Sequence, residues 1–176
     1  MPKEMLIMRA TPFHVPQIID LVDAYTFERR GVKGSLLPVK EFEVSSLIDQ
    51  GSFFVAFRED DFVGCVSLRE YDGIAEVRSL AVKDSHQFKK IGSMLIRQCV
   101  ETAYERRYDN LYALTKKGLG HVFESNGFKY TAVIPDPKIQ RDCLKCPLYR
   151  ISCNEEAYIY TMPNRSDEGA TRLPGL

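Results

Sequence analysis

The sequence predicts a mixed α/β (α+β) fold, a mostly antiparallel central sheet flanked by helices, and three observations carry that expectation. Segments 53–57, 62–68 and 75–82 are short apolar runs joined only by the turn residues Asp60-Asp61 and Tyr71-Asp72-Gly73, so they read as an antiparallel meander. Segment 15–27 sets Ile18, Ile19, Leu21, Val22 and Tyr25 at helical spacing, and after Ile91 the positions Leu95, Cys99 and Ala103 recur every fourth residue, so helices with one apolar face pack on that sheet. Strand 75–82 then feeds Gln87-Phe88-Lys89-Lys90-Ile91-Gly92-Ser93, a basic turn that opens the later helix.

The elements follow in order. Segment 5–9 is a strand and 15–27 a helix. Segment 31–38 is a turn-rich loop containing Gly34-Ser35-Leu36-Leu37-Pro38, and 41–48 is a second helix, stopped near Gly51. After the meander and the helix from Ile91, 110–114 is a strand, 119–125 a short helix with Gly127 in the C-cap place, and 157–162 a last strand. Residues 4–162 read as one domain and 163–176 as a tail.

Composition narrows the function. The chain has 176 residues, 44% of them hydrophobic, which suffices for a buried core. Its 24 basic and 24 acidic residues balance, so no global charge steers it to nucleic acid or an anionic membrane. With no signal-peptide core and no run of membrane-spanning length, a cytoplasmic protein is expected. Five cysteines, two of them (Cys65 and Cys99) in apolar-patterned elements, suit a reducing compartment.

The basic turn is the main chemical clue. A turn at a helix start aims unpaired backbone N–H groups at one spot, the helix dipole favours an anion there, and Lys89 and Lys90 add full charges. The alternative is a solvated surface turn. On strand 75–82, Glu76 and Arg78 share a face, an acceptor beside a donor, which suits either a catalytic pair or a structural ion pair within the sheet. Cys143, Cys146 and Cys153 offer three soft ligands where structural zinc wants four, and no fourth is indicated by spacing. Thiols packed under a loop are therefore expected, with no metal.

Leu80-Ala81-Val82 followed by Gln87 and Gly92 resembles the acetyl-CoA pyrophosphate loop of the GCN5-related N-acetyltransferase (GNAT) superfamily, Gln/Arg-x-x-Gly-x-Gly/Ala, with Lys90 standing at the first glycine. His121-Val122-Phe123-Glu124-Ser125-Asn126-Gly127-Phe128 resembles that superfamily's Phe-Tyr-Glu-Lys-Leu-Gly-Phe segment, with Phe123 replacing the tyrosine that protonates the departing thiolate in many members. Asp142-Cys143-Leu144-Lys145-Cys146-Pro147 and Cys153-Asn154-Glu155-Glu156-Ala157 look like the tail of the short amino-acid N-acetyltransferases related to N-acetylglutamate synthase.

The resemblance implies a GNAT-like sheet, acetyl-CoA as co-substrate, and acetyl transfer to an amine, the α-amine of an amino acid such as glutamate being favoured, in amino-acid biosynthesis. It implies coenzyme contacts at Leu80, Ala81, Val82, Gln87, Phe88, Lys89, Lys90, Ile91, Gly92, Ser93, Thr115 and Phe123, and Glu76 as the base. Arg78 is expected on the substrate carboxylate, for which a guanidinium is suited, joined by Lys40, because the family's Leu-Leu-Pro-Arg-Ser loop here reads Leu36-Leu37-Pro38-Val39-Lys40. The expected partners are a small-molecule amine or amino acid, not nucleic acid or membrane, and a homodimer is compatible with this. Two other readings stay open: a catalytically silent acyl-CoA sensor, and transfer to a polyamine, an antibiotic or a protein N-terminus.

Overall fold

Strands Met5–Arg9 (β1), Phe53–Arg58 (β2), Asp61–Tyr71 (β3), Ile74–Val82 (β4), Asn110–Lys116 (β5), Lys129–Thr131 (β6) and Glu155–Thr161 (β7) form one sheet in the computed structural model, which describes residues 4–26, 36–87, 90–146 and 154–164. Their order is β1-β2-β3-β4-β5-β7-β6. Every neighbouring pair is antiparallel except β4 and β5. The meander forms as its turn residues require: Asp72 and Gly73 take φ of 47° and 78°, the left-handed pair of a two-residue hairpin turn.

Apolar patterning on both faces of the sheet explains its two cores. Helices Val15–Thr26 (α1) and Glu41–Asp49 (α2) bury Ile18, Val22 and Val44 with Phe53, Val55, Cys65 and Ala81. Helix Ile91–Glu105 (α3) and the short helix His121–Glu124 (α4) bury Ile91, Leu95, Ile96, Cys99 and Phe123 against Val66, Leu68, Val77 and Leu111. Burial pushes the Cys65 thiol up to about 12 and raises that of Cys99 as well, as expected of thiols packed in a core. No helix among the described residues is long and apolar enough to cross a membrane.

Two irregularities shape the middle of the sheet. Opposite Val66, strand β4 carries an extra residue: Cys65 pairs with Ala81 and Ser67 with Arg78, while Ser79 adopts a φ of 52°. This bulge reverses the alternation. Glu76 and Arg78 lie on the α1/α2 side with Ala81, whereas Leu80 and Val82 pack on the α3 core. The second irregularity is a parting of strands. Parallel pairing of β4 and β5 stops after Ala75↔Leu111, Glu76↔Tyr112 and Val77↔Ala113, although β5 stays paired with β7 to Lys116. A wedge opens between them.

The sequence reading misses two elements, the edge strand β6 and the helix Asp136–Arg141 (α5). It also draws the helix at 119–125 longer than α4. Gly127 nevertheless stops that segment as expected, at a φ of 86°, with Phe128 N–H donating to Phe123 O (3.1 Å) and Gly127 N–H to Glu124 O (3.0 Å). The rings of Phe123 and Phe128 meet across this Schellman turn at 5.4 Å. Residues 31–35 of the predicted loop and 165–176 of the predicted tail lie outside the described residues.

Candidate active site

The basic turn ends in a left-handed residue. Lys90, at the glycine position of the motif, is the N-cap of α3 with φ 62° and ψ 7°, and its side chain makes no capping bond. A lysine there costs roughly 1–2 kcal/mol against the helical region, so the turn keeps the glycine geometry without the glycine. The N–H groups of the first turn gain no side-chain cap, and a helix start carries about half a positive charge. A Cβ on Gly92 would meet only Val122 Cγ2 at 3.6 Å and Val82 Cγ2 at 4.0 Å, so the backbone is open to a close-lying ligand. The wedge between β4 and β5 leads from this turn toward Glu76. These features fit acetyl-CoA: an anion at the start of α3 and an extended chain between the parted strands.

Other predicted coenzyme contacts surround the same place. Ser93 Oγ accepts from Asn126 Nδ2 at 3.0 Å, joining α3 to the end of the α4 turn. Thr115 lies on β5 beyond the parting, paired with Glu156. The Gln87 amide turns inward, donating to Val82 O (3.2 Å), Asp84 Oδ1 (3.0 Å) and Tyr25 Oη (3.0 Å). Phe88 and Lys89 lie outside the described residues. Phe123 is buried, its ring stacked on Tyr158 at 6.2 Å. Tyr158 in turn donates to Glu156 Oε2 at 3.1 Å, and its ring end fills the space above Gly120.

On the other face of the sheet lies a cavity of about 550 Å³, of small-molecule size. Arg69, Arg78 and Arg141 line it together with Val39, Glu43 and Asp142. Burial first, then the charges of Arg78 and Arg141, lower the pKa of Arg69, while Asp142 and Glu43 oppose this. Three guanidiniums thus share one space. Lys40 is not among the lining residues: it is exposed at the start of α2, its ammonium 5.9 Å from the centre of the Phe42 ring.

Glu76 is 2% exposed and borders both the wedge and a smaller cavity shared with Arg78, Leu114, Lys138 and Glu155. Its partner is not Arg78. Lys138 Nζ donates to both Glu76 oxygens (2.9 and 3.2 Å), and Tyr71 donates to Oε2 (2.8 Å). Lys138 also reaches Asp142 Oδ2 at 2.8 Å, and the same oxygen takes Arg78 at 3.2 Å. Burial, followed by the Glu76 charge, raises the Tyr71 pKa, so this hydroxyl stays a donor. Burial pushes the Asp142 carboxyl up, but the Lys138 hydrogen bond and the Lys138, Arg78 and Arg69 charges outweigh it and hold it below its ordinary value. Asp142 therefore contributes stability that is present above the unfolded value of about 3.9 and lost as pH falls through the lower folded value.

Lys138, Arg141 and Tyr71 escaped the sequence reading. The available signals were Asp136-Pro137, an acid and a proline in a first helical turn, and the i,i+4 pair of Lys138 and Asp142. Cys143 follows this helix in a short turn, and Cys146 is exposed. Cys153 lies outside the described residues, and among the described residues no group of three metal-ligating side chains gathers.

Similarity to known proteins agrees with this geometry. The model of the Acetyltransferase (GNAT) family matches residues 16–128. An uncharacterized N-acetyltransferase of Chlorobaculum tepidum is 31% identical over 147 residues, 81% of this chain and 92% of that protein. Rv2747 of Mycobacterium tuberculosis, solved in complex with CoA, superposes with a TM-score of 0.71 at 19% identity, over 90% of this chain and 99% of that one. N-acetylglutamate synthase of Neisseria gonorrhoeae, solved with coenzyme A and N-acetyl-glutamate, superposes with a TM-score of 0.77 at 18% identity, over 93% of this chain and 36% of that one. The two structures share the mixed, mostly antiparallel sheet. The sequence matches take in the basic turn, the parted strands and the α4 turn, and they make this chain a member of the acetyltransferase (GNAT) family, an acetyl-CoA-dependent N-acetyltransferase.

Proposed function

We propose that the acceptor is the α-amine of a small amino acid with carboxylates to bind, glutamate being the favoured one. The observation that carries this is the convergence of Arg69, Arg78 and Arg141 on one cavity next to Glu76. The carboxylates of the same wall are already partnered, Glu43 by Arg69 at 3.7 Å, Glu70 by Arg106, and Asp142 by Arg78 and Lys138. A polyamine finds none of these three carboxylates unpartnered, whereas a substrate carboxylate meets three guanidinium forks. The N-acetyl-glutamate bound by the Neisseria neighbour supports the same choice.

Acetyl-CoA supplies the activated acetyl thioester. The chain's own groups do the rest. Glu76 takes the proton of the acceptor ammonium, directly or through a water, leaving a neutral amine to attack. The irregular stretch of β4 around Leu80 and Val82 offers backbone N–H groups to the thioester oxygen. Arg78, fixed by Asp142, anchors a carboxylate so that the amine is aligned, and alignment alone removes roughly 7–11 kcal/mol of barrier. With Phe123 in place of tyrosine, the departing thiolate takes its proton from water or from the amine.

Release of thiol from acetyl-CoA, measured across free amino acids and polyamines, tests the assignment: glutamate should support it and spermidine should not, and a preference for polyamines would overturn it. Arg78→Ala should raise KM for glutamate roughly 10–100-fold, the worth of one charge-assisted hydrogen bond, with a smaller change in kcat.

A further inference from the structure

Lys138 is 5% exposed, and its ammonium touches two carboxylates at once. Such burial is poorly explained by stability, because withdrawing the charges from water offsets most of the attraction between them, and an apolar side chain of similar size would serve a core as well or better. What the arrangement does achieve is a continuous chain of contacts: Tyr71 to Glu76, Glu76 to Lys138, Lys138 to Asp142, Asp142 to Arg78. It links the proposed proton acceptor, Glu76, to the proposed carboxylate anchor, Arg78.

The chain also distinguishes the two oxygens of Glu76. Oε2 receives Tyr71 and Lys138, whereas Oε1 receives Lys138 alone. A carboxylate oxygen accepts two hydrogen bonds comfortably, so Oε1 is the one with room for an incoming proton. Helix α5, which delivers Lys138 and Asp142 one turn apart, lies beyond residues 16–128. The segment matched by the family model therefore ends before the group that holds its glutamate.

We propose that Lys138 is a positioning residue that fixes the orientation and the charge of Glu76 and, through Asp142, couples them to the placement of Arg78. This inference rests on the reading of Glu76 as proton acceptor. Its charged and titratable surroundings are Lys138 and Asp142 from α5, Arg69 and Tyr71 from β3, Arg78 on its own strand, Arg141 over the Tyr71 ring at 4.9 Å, and Glu155 of β7 in the shared small cavity. Lys138 is the only one of these cations in hydrogen-bond contact with Glu76 among the described residues.

The test is the pH dependence of kcat/KM for Lys138→Met, Lys138→Gln and Lys138→Arg beside Glu76→Gln. Removing a cation in contact makes a carboxylate easier to protonate, so the acid limb should move up by about one pH unit or more in the Met and Gln variants. Lys138→Arg should return it to the wild-type position. Lys138→Gln keeps a hydrogen-bond donor and carries the test if the Met variant fails to fold. An unmoved acid limb in folded Lys138→Gln, with Glu76→Gln impaired, would sink the positioning role and leave Glu76 as base. Full activity of Glu76→Gln would sink both.

Discussion

Glu76→Gln should lower kcat roughly 10²–10⁴-fold, the span that general-base catalysis contributes, while acetyl-CoA affinity stays near the wild-type value. Glutamine keeps the shape of the side chain and still accepts from Tyr71, but it cannot take an ammonium proton. It also removes the charge opposite Lys138. Breaking a buried pair costs about 3–5 kcal/mol when a charge is left alone; here Asp142 remains on Lys138 at 2.8 Å, so the loss of stability should be smaller. Turnover is therefore to be read at a temperature where circular dichroism shows the variant folded. Intact turnover between about pH 6 and 9, around the neutral range where side-chain bases operate, would show that Glu76 removes no proton.

Gly120→Ala should give the largest loss of stability among conservative changes near the coenzyme site. A Cβ at this buried position would lie 1.9 Å from Tyr158 Oη and 2.1 Å from Cζ. The tyrosine cannot swing aside cheaply, because it is 4% exposed and its ring lies between Phe123 and Tyr130, 6.2 and 6.0 Å away. Overpacking of this kind costs about 1–3 kcal/mol, and each kcal/mol should lower the melting temperature by roughly 2–4 °C for a chain of this size. Combining the change with Tyr158→Leu should recover part of the loss, since the two residues share one space. A wild-type melting temperature for Gly120→Ala would mean that the ring is loosely held and that α4 is seated by something else.

The meander, the α3 helix and its basic turn were legible because each has a local cause: apolar runs of strand length, turn residues with left-handed tolerance, and a one-sided apolar stripe. Glu76 and Arg78 fell on one face for the same reason, since the bulge that reverses the alternation begins only at Ser79. Lys90 was legible as a charge but not as a left-handed residue, because lysine has no preference for that conformation. Strand β6 has three residues and α5 has six, too short for either to show a period. The burial of Lys138 depends on Glu76, 62 residues away in the chain and reached only through the tertiary fold. An i,i+4 lysine and aspartate pair looks the same on a solvated helix.

The parting of β4 and β5 bears on how the molecule opens. Only three register pairs join the β1–β4 part of the sheet to the β5–β7–β6 part, against seven between β5 and β7. Amide hydrogen exchange in the ligand-free protein should accordingly report two cooperative units, with β5 and β7 opening at a lower free energy than β2 and β3. A ligand lying in the wedge touches both units and adds linkage free energy to each, about 2.7 kcal/mol at a hundred times its Kd. Coenzyme would then act as the missing rungs of the ladder, and the two units should exchange as one when it is bound.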